Sequence, residues 1–105
     1  EKAAAMEKQR LMWEQFCQKY SGRLSAEETR AGREEALQML EKKDTLPPIR
    51  LKIAKYISDG YTLERNLPKA LEYLEIARDA DPESQAAKKL EPWIDNMRKH
   101  INQEK

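Results

Sequence analysis

Residues 53–80, IAKYISDGYTLERNLPKALEYLEIARDA, hold two short amphipathic helix patterns on either side of a segment that opens at Gly60 and closes at Pro68. No other stretch limits the possible folds as much. A helix pair of this length cannot bury its apolar faces alone, so the flanking chain has to supply helices that pack on it. The 105 residues suffice for one domain with one core. Three Gly and five Pro leave too few turn residues for many short strands. A charged content of 37% against 39% hydrophobic fits helices with wide solvated faces, and the fold class is all-α.

The flanking segments carry the expected helical signals. Met6, Trp13, Phe16, Cys17 and Tyr20 recur at helical spacing over residues 1–20, and Ser21-Gly22 ends that helix. Ser25 and Glu28 match a capping box opening a second helix over about 26–43, which buries Thr29, Ala36, Leu37 and Leu40 and leaves Arg30, Arg33, Glu34 and Glu35 solvated. Pro47 and Pro48 break it. The third helix then carries Ile49, Ile53, Ala54 and Ile57 on one face, with Gly60 as a left-handed cap and residues 61–66 as a loop. The fourth, from Leu67-Pro68, is apolar over so much of its circumference that it is expected to be the most buried element. Asp81-Pro82 reads as a cap and first turn for a fifth helix bearing Ala86, Leu90, Trp93, Ile94, Met97 and Ile101. Pro92 is expected to kink or split it at Glu91, and Asn102 to Lys105 to fray.

Residues 53–77 resemble a Sel-one-like repeat, a relative of the tetratricopeptide repeat. Ile53-Ala54 stands for the family's Leu-Gly pair, Ile57 for its tyrosine and Gly60 for the first loop glycine. Thr62 and Leu63 replace Gly-Val and Asn66 replaces Asp, whereas Lys69-Ala70, Tyr73 and Ala77 match directly and without a gap. The resemblance implies about five helices in antiparallel hairpins, forming a short tetratricopeptide-like solenoid or bundle. Within a single domain over 1–105, residues 1–47 form an N-terminal helical hairpin, 48–81 the repeat and 82–105 a capping helix. Ala54, Ala70 and Ala77 are small where the helices approach, Gly60 permits the exit, Leu63 plugs the hairpin end and Tyr73 keeps the family's aromatic position. Since ~3 repeats are usual for stability, the other helices act as degenerate repeats or caps, or the chain associates with another. A bacterial source is also implied.

Chemistry is sparse. Cys17 and His100 are each unique and lie at opposite ends of the chain. Cys17 reads as a small buried hydrophobe and His100 as a partly exposed cation near a helix C-terminus. Adjacent pairs such as Glu27/Glu28 diverge on a helix, and no phosphate loop, EF-hand or zinc spacing is present. The expectation is therefore of no enzyme, no cofactor and no metal. Twenty basic and nineteen acidic residues, interspersed to a net charge of +1, argue against nucleic acid or a membrane surface, and no apolar run reaches ~20 residues.

What remains is surface. Lys52, Lys55, Tyr56 and Asp59 share the side of the third helix opposite Ile53 and Ile57, where repeat proteins of this kind bind partners. A mild basic excess over residues 48–66 suits an acidic or C-terminal peptide. Trp13 and Trp93 are expected in the core, or else at a homodimer or partner interface. The reading is a protein-binding adaptor, chaperone or envelope-assembly factor, with an immunity or inhibitor protein and a self-associating structural bundle as alternatives. The first residue is Glu1, from which an upstream segment is expected; its kind decides between cytoplasm and envelope.

Overall fold

A computed structural model describes residues 2–22 and 25–103. The chain is all-α, with five helices among the described residues: α1 (Lys2–Lys19), α2 (Ala26–Glu41), α3 (Pro47–Leu63), α4 (Leu67–Ala80) and α5 (Gln85–Gln103). Glu1 of the expected first helix and Glu104 and Lys105 of the expected tail lie outside the described residues, while Asn102 and Gln103 are helical. Among the described residues no helix is long and apolar enough to cross a membrane.

The helix starts follow local chemistry. Ser25 and Glu28 form the full capping box, each side chain meeting the other's backbone N–H at 3.1 Å. Pro47 and Pro48 sit in the first turn of α3, where their missing donors cost nothing. Asn66 caps α4 by accepting from Lys69 N–H. For α5 the cap is Ser84 rather than Asp81. Its Oγ accepts from Ala87 N–H at 3.1 Å while residues 81–84 close a turn through the Asp81 carbonyl, so helix begins three residues after Pro82.

The central element is α3, not α4. Seven of its residues are buried (Ile49, Leu51, Ile53, Ala54, Ile57, Ser58 and Gly60) against three in α4, because α3 packs on α4, α2 and α1. The solvated residues of α4 alternate with its apolar ones closely enough to leave Leu71, Tyr73 and Ile76 only half covered. In α2, Ala36 and Leu40 are buried as expected and Thr29 and Leu37 only partly.

The exit from α3 differs from expectation. Gly60 is helical and buried, and the helix continues to Leu63. The left-handed residue is Arg65 (φ 62°), flanked by Asn66 N–H donating to Tyr61 C=O at 2.9 Å and Arg65 N–H to Thr62 C=O at 3.0 Å. That pair of bonds is a Schellman closure with arginine in the place usually taken by glycine. One side chain accounts for the added turn: Arg33 of α2, 14% exposed, holds both Glu64 oxygens at 2.6 Å and lies 4.4 Å over the Tyr61 ring. Tyr61 in turn stacks on Tyr73 of α4 at 5.7 Å. Arg33 is therefore a strut between helices and not a solvated residue. Leu63 does not plug the hairpin: it is 78% exposed.

In α5 the buried stripe is Ala87, Leu90 and Ile94, continued by half-buried Met97 and Ile101. Ala86 and Trp93 fall outside it and are exposed. Pro92 does not split the helix. It lies on the exposed side, where water can serve the carbonyl it leaves without a donor.

Candidate protein-binding face

The four α3 residues expected to bind a partner divide into two groups. Tyr56 is half-buried under α1, edge-on to Trp13 (5.9 Å) and Phe16 (5.0 Å), and burial pushes its phenol pKa up. It is a packing residue, because the α1 aromatics cover the flank of α3 on which it stands. Lys52, Lys55 and Asp59 remain at the surface, Lys55 only half-covered. Lys55 reaches Asp59 at 3.1 Å and stands 5.1 Å over the ring of Trp93 on α5.

Trp93 is the residue this face is built around. It is 53% exposed, whereas Trp13 is 8% exposed in the core. The sequence held a signal for this. Ala87, Leu90, Ile94, Met97 and Ile101 already complete one face at spacings of three and four, and Trp93 falls on the adjoining stripe with Lys89, Asn96 and His100.

Beside Trp93 a groove of about 310 Å³ runs between the C-terminal halves of α3 and α5. Its floor is Leu67, Leu74 and Met97, its walls Trp93, Ser58 and Thr62, and its mouth Asp59, Asn96 and His100. Ser58 is spent internally, donating from Oγ to the Ala70 carbonyl at 2.7 Å. The groove is thus apolar inside and polar only at the rim. Arg50, counted on sequence as part of a basic excess, is not at this face: it caps the C-terminus of α2, donating to the carbonyls of Leu40 (3.0 Å) and Lys42 (3.4 Å).

Cys17 is exposed, contrary to the expectation of burial, since α1 turns Trp13 and Phe16 inward and leaves Cys17 on its flank. Desolvation pushes its thiol pKa up, Lys52 opposes that and Glu14 adds to it, which leaves the thiol protonated at neutral pH. His100 is exposed at the groove mouth. Among the described residues no group of three His, Cys, Asp or Glu side chains converges to hold a metal ion.

The repeat positions are also placed. Ala54, Ala70 and Ala77 have no exposed surface, and Tyr73 is half-buried on Tyr61. No family model matches the chain, and no similar protein was found among curated proteins or solved structures.

Proposed function

We propose that this chain is a non-catalytic protein-interaction module that binds another protein or peptide on the face shared by α3 and α5. The observation that carries this reading is Trp93. An indole half open to water, lying beside an apolar-floored groove, is the kind of anchor that dominates binding energy at protein interfaces. The order of helices supports a short array in the manner of a Sel-one-like repeat, with residues 48–81 as its complete unit. Complete burial of the small residues Ala54, Ala70 and Ala77 is what such a unit requires where two helices meet. Within that reading the adaptor, chaperone and assembly roles share one mechanism, occlusion or tethering of a partner without chemistry.

The test is a pull-down with the full chain and with Trp93→Ala, whose helical circular dichroism should be unchanged because the indole lies outside the core. A partner retained by the parent chain and lost at least tenfold by the variant is the expected result. Recovery of the same proteins by both would sink the reading. Exposed Trp93 and Leu63 equally suit contact between two copies, so sedimentation at two concentrations belongs beside it. A mass that rises with concentration, and falls back in Trp93→Ala, assigns the face to self-association.

A further inference from the structure

We propose that the groove between α3 and α5 takes an acidic segment of the partner, seated by one bulky apolar side chain; this rests on the protein-binding reading above and names its ligand class. The apolar half of the argument is the groove's own surface. Leu67, Leu74 and Met97 come from two helices to one floor, Trp93 forms a wall, and Ser58 presents no free hydroxyl. A space of about 310 Å³ lies at the low end of ligand sites, enough for a side chain or two and too small for a large cofactor.

The acidic half follows from which charges are left over. The contact of Lys55 with Trp93, and the groove lined further along by Thr62 of α3 and His100 of α5, fit α3 and α5 running the same way. One turn before Lys55 stands Lys52, and one turn before Trp93 stands Lys89, both exposed and at the same end. Asp59 is the acid on these two stripes, and Lys55 neutralises it at 3.1 Å. None of the ion pairs formed by described residues involves Lys52 or Lys89. Nearby acids are engaged elsewhere: Glu91 with Arg78 at 3.5 Å, Glu14 with Arg10. Asp95, two residues from Trp93, projects from the far side of α5. The chain has a net charge of +1, and one turn before Lys55 and Trp93, outside the lining of the apolar slot, stand two exposed lysines that form none of these ion pairs. Carboxylates meet the two lysines, and an aromatic or branched side chain enters next to Trp93.

The experiment selects a phage-displayed library of random twelve-residue peptides on the intact protein, then measures the enriched peptides against Trp93→Ala and Lys52→Glu/Lys89→Glu. Expected are peptides rich in Asp or Glu around an aromatic or aliphatic residue, whose affinity falls at least tenfold in each variant. In Trp13→Phe protein their binding should also shift the remaining Trp93 emission to shorter wavelength. Basic or uncharged consensus peptides, or no enrichment, would overturn the acidic-ligand assignment. Peptides indifferent to both variants would also overturn it, while leaving the broader binding reading to the pull-down. A single-stranded DNA oligonucleotide is run alongside, and binding of it that Lys52→Glu/Lys89→Glu abolishes would reassign the lysines to phosphate contacts and defeat the proposal.

Discussion

Between α3 and α4 the joint carries Ala54, Ala70 and Ala77, none with exposed surface, and the backbones approach closely enough for Ser58 to hydrogen-bond the Ala70 carbonyl across it. The joint between α1 and the rest is made the other way. Its backbone comes near α3 only along a short stretch and hardly near α2, and Trp13, Phe16 and Tyr20 bridge the gap. Trp13 and Phe16 stack at 5.0 Å and both meet Tyr56. Two open clefts of about 410 and 450 Å³ flank this seat, each lined by Met12, Met39 and Lys42. Its polar fastenings are few: Gln9 donates to the Asp44 carbonyl (2.9 Å) and accepts from Leu46 N–H (2.8 Å), and Glu35 takes Tyr20 and Lys19. A joint of small residues ties two backbones together, while a joint of large rings with open clefts beside it can open locally. The α3–α4 pair should therefore unfold with the whole domain, and α1 should detach first.

Core truncations test that difference most strongly. Leu74→Ala, at 1% exposure on α4, should cost about 2–5 kcal/mol and weaken hydrogen-exchange protection in every helix. Phe16→Ala should remove a similar or larger amount, about 3–5 kcal/mol, from the docking of α1 while amides of α3 and α4 keep most of their protection. Uniform loss of protection in both variants would show that the molecule is one cooperative unit and that the contrast between the joints has no energetic meaning.

The two buried glycines sharpen the comparison, because they lie in helices at the two joints. A Cβ on Gly32 would sit 2.5 Å from the Tyr56 hydroxyl and 3.2 Å from the Tyr20 ring, both held by Phe16. Overpacking costs about 1–3 kcal/mol and the helix gains about 1 from alanine, so Gly32→Ala should lose about 0–2 kcal/mol on balance. Adding Tyr56→Phe removes the nearer atom and should restore part of the loss in thermal melts. A Cβ on Gly60 meets only the Arg33 Cδ at 3.8 Å, an ordinary contact. Gly60→Ala should thus stabilise by about 0.5–1 kcal/mol. Destabilisation there would mean that Gly60 does adopt the left-handed cap conformation.

That glycine also shows where the sequence ceased to be legible. The helical periods, the capping box at Ser25, the Pro47-Pro48 break and the all-α class are short-range properties, and they were readable because each is set within a few residues. Gly60 ahead of the segment that closes at Pro68 carries a local stop signal. It is overruled by Arg33, 31 residues from Glu64 in sequence, and no local pattern announces that pairing. Trp93 reads as inward from its helical spacing to Leu90 and Met97, with an interface as the alternative, although the stripe through Leu90 and Ile94 is complete without it. For the candidate face, Lys52, Lys55 and Asp59 were legible from helical spacing, and Tyr56 was not, since only the approach of α1 decides which flank of α3 is covered.

The smallest expected effect concerns the polar latch of α1. The Glu35 carboxylate accepts from the Tyr20 hydroxyl at 2.6 Å and from Lys19 at 3.2 Å, and these bonds, Tyr20's first, hold its pKa below the ordinary carboxylate value. With α1 released, the carboxyl regains that ordinary value and binds a proton more readily. Docking is therefore favoured by the full contribution above the ordinary carboxylate range, and the contribution disappears as pH falls through the lowered value. The side chain is 40% exposed, so water screens the interaction and only a slight shift should appear. Exchange of α1 amides in the parent and in Glu35→Gln should differ at pH 6 and converge in acid, once the pH has fallen through the lowered Glu35 value and both side chains are neutral. A difference that persists unchanged to that pH would mean that the latch works through the shape of the side chain and not its charge. In that case the aromatic rings alone set how firmly α1 is seated.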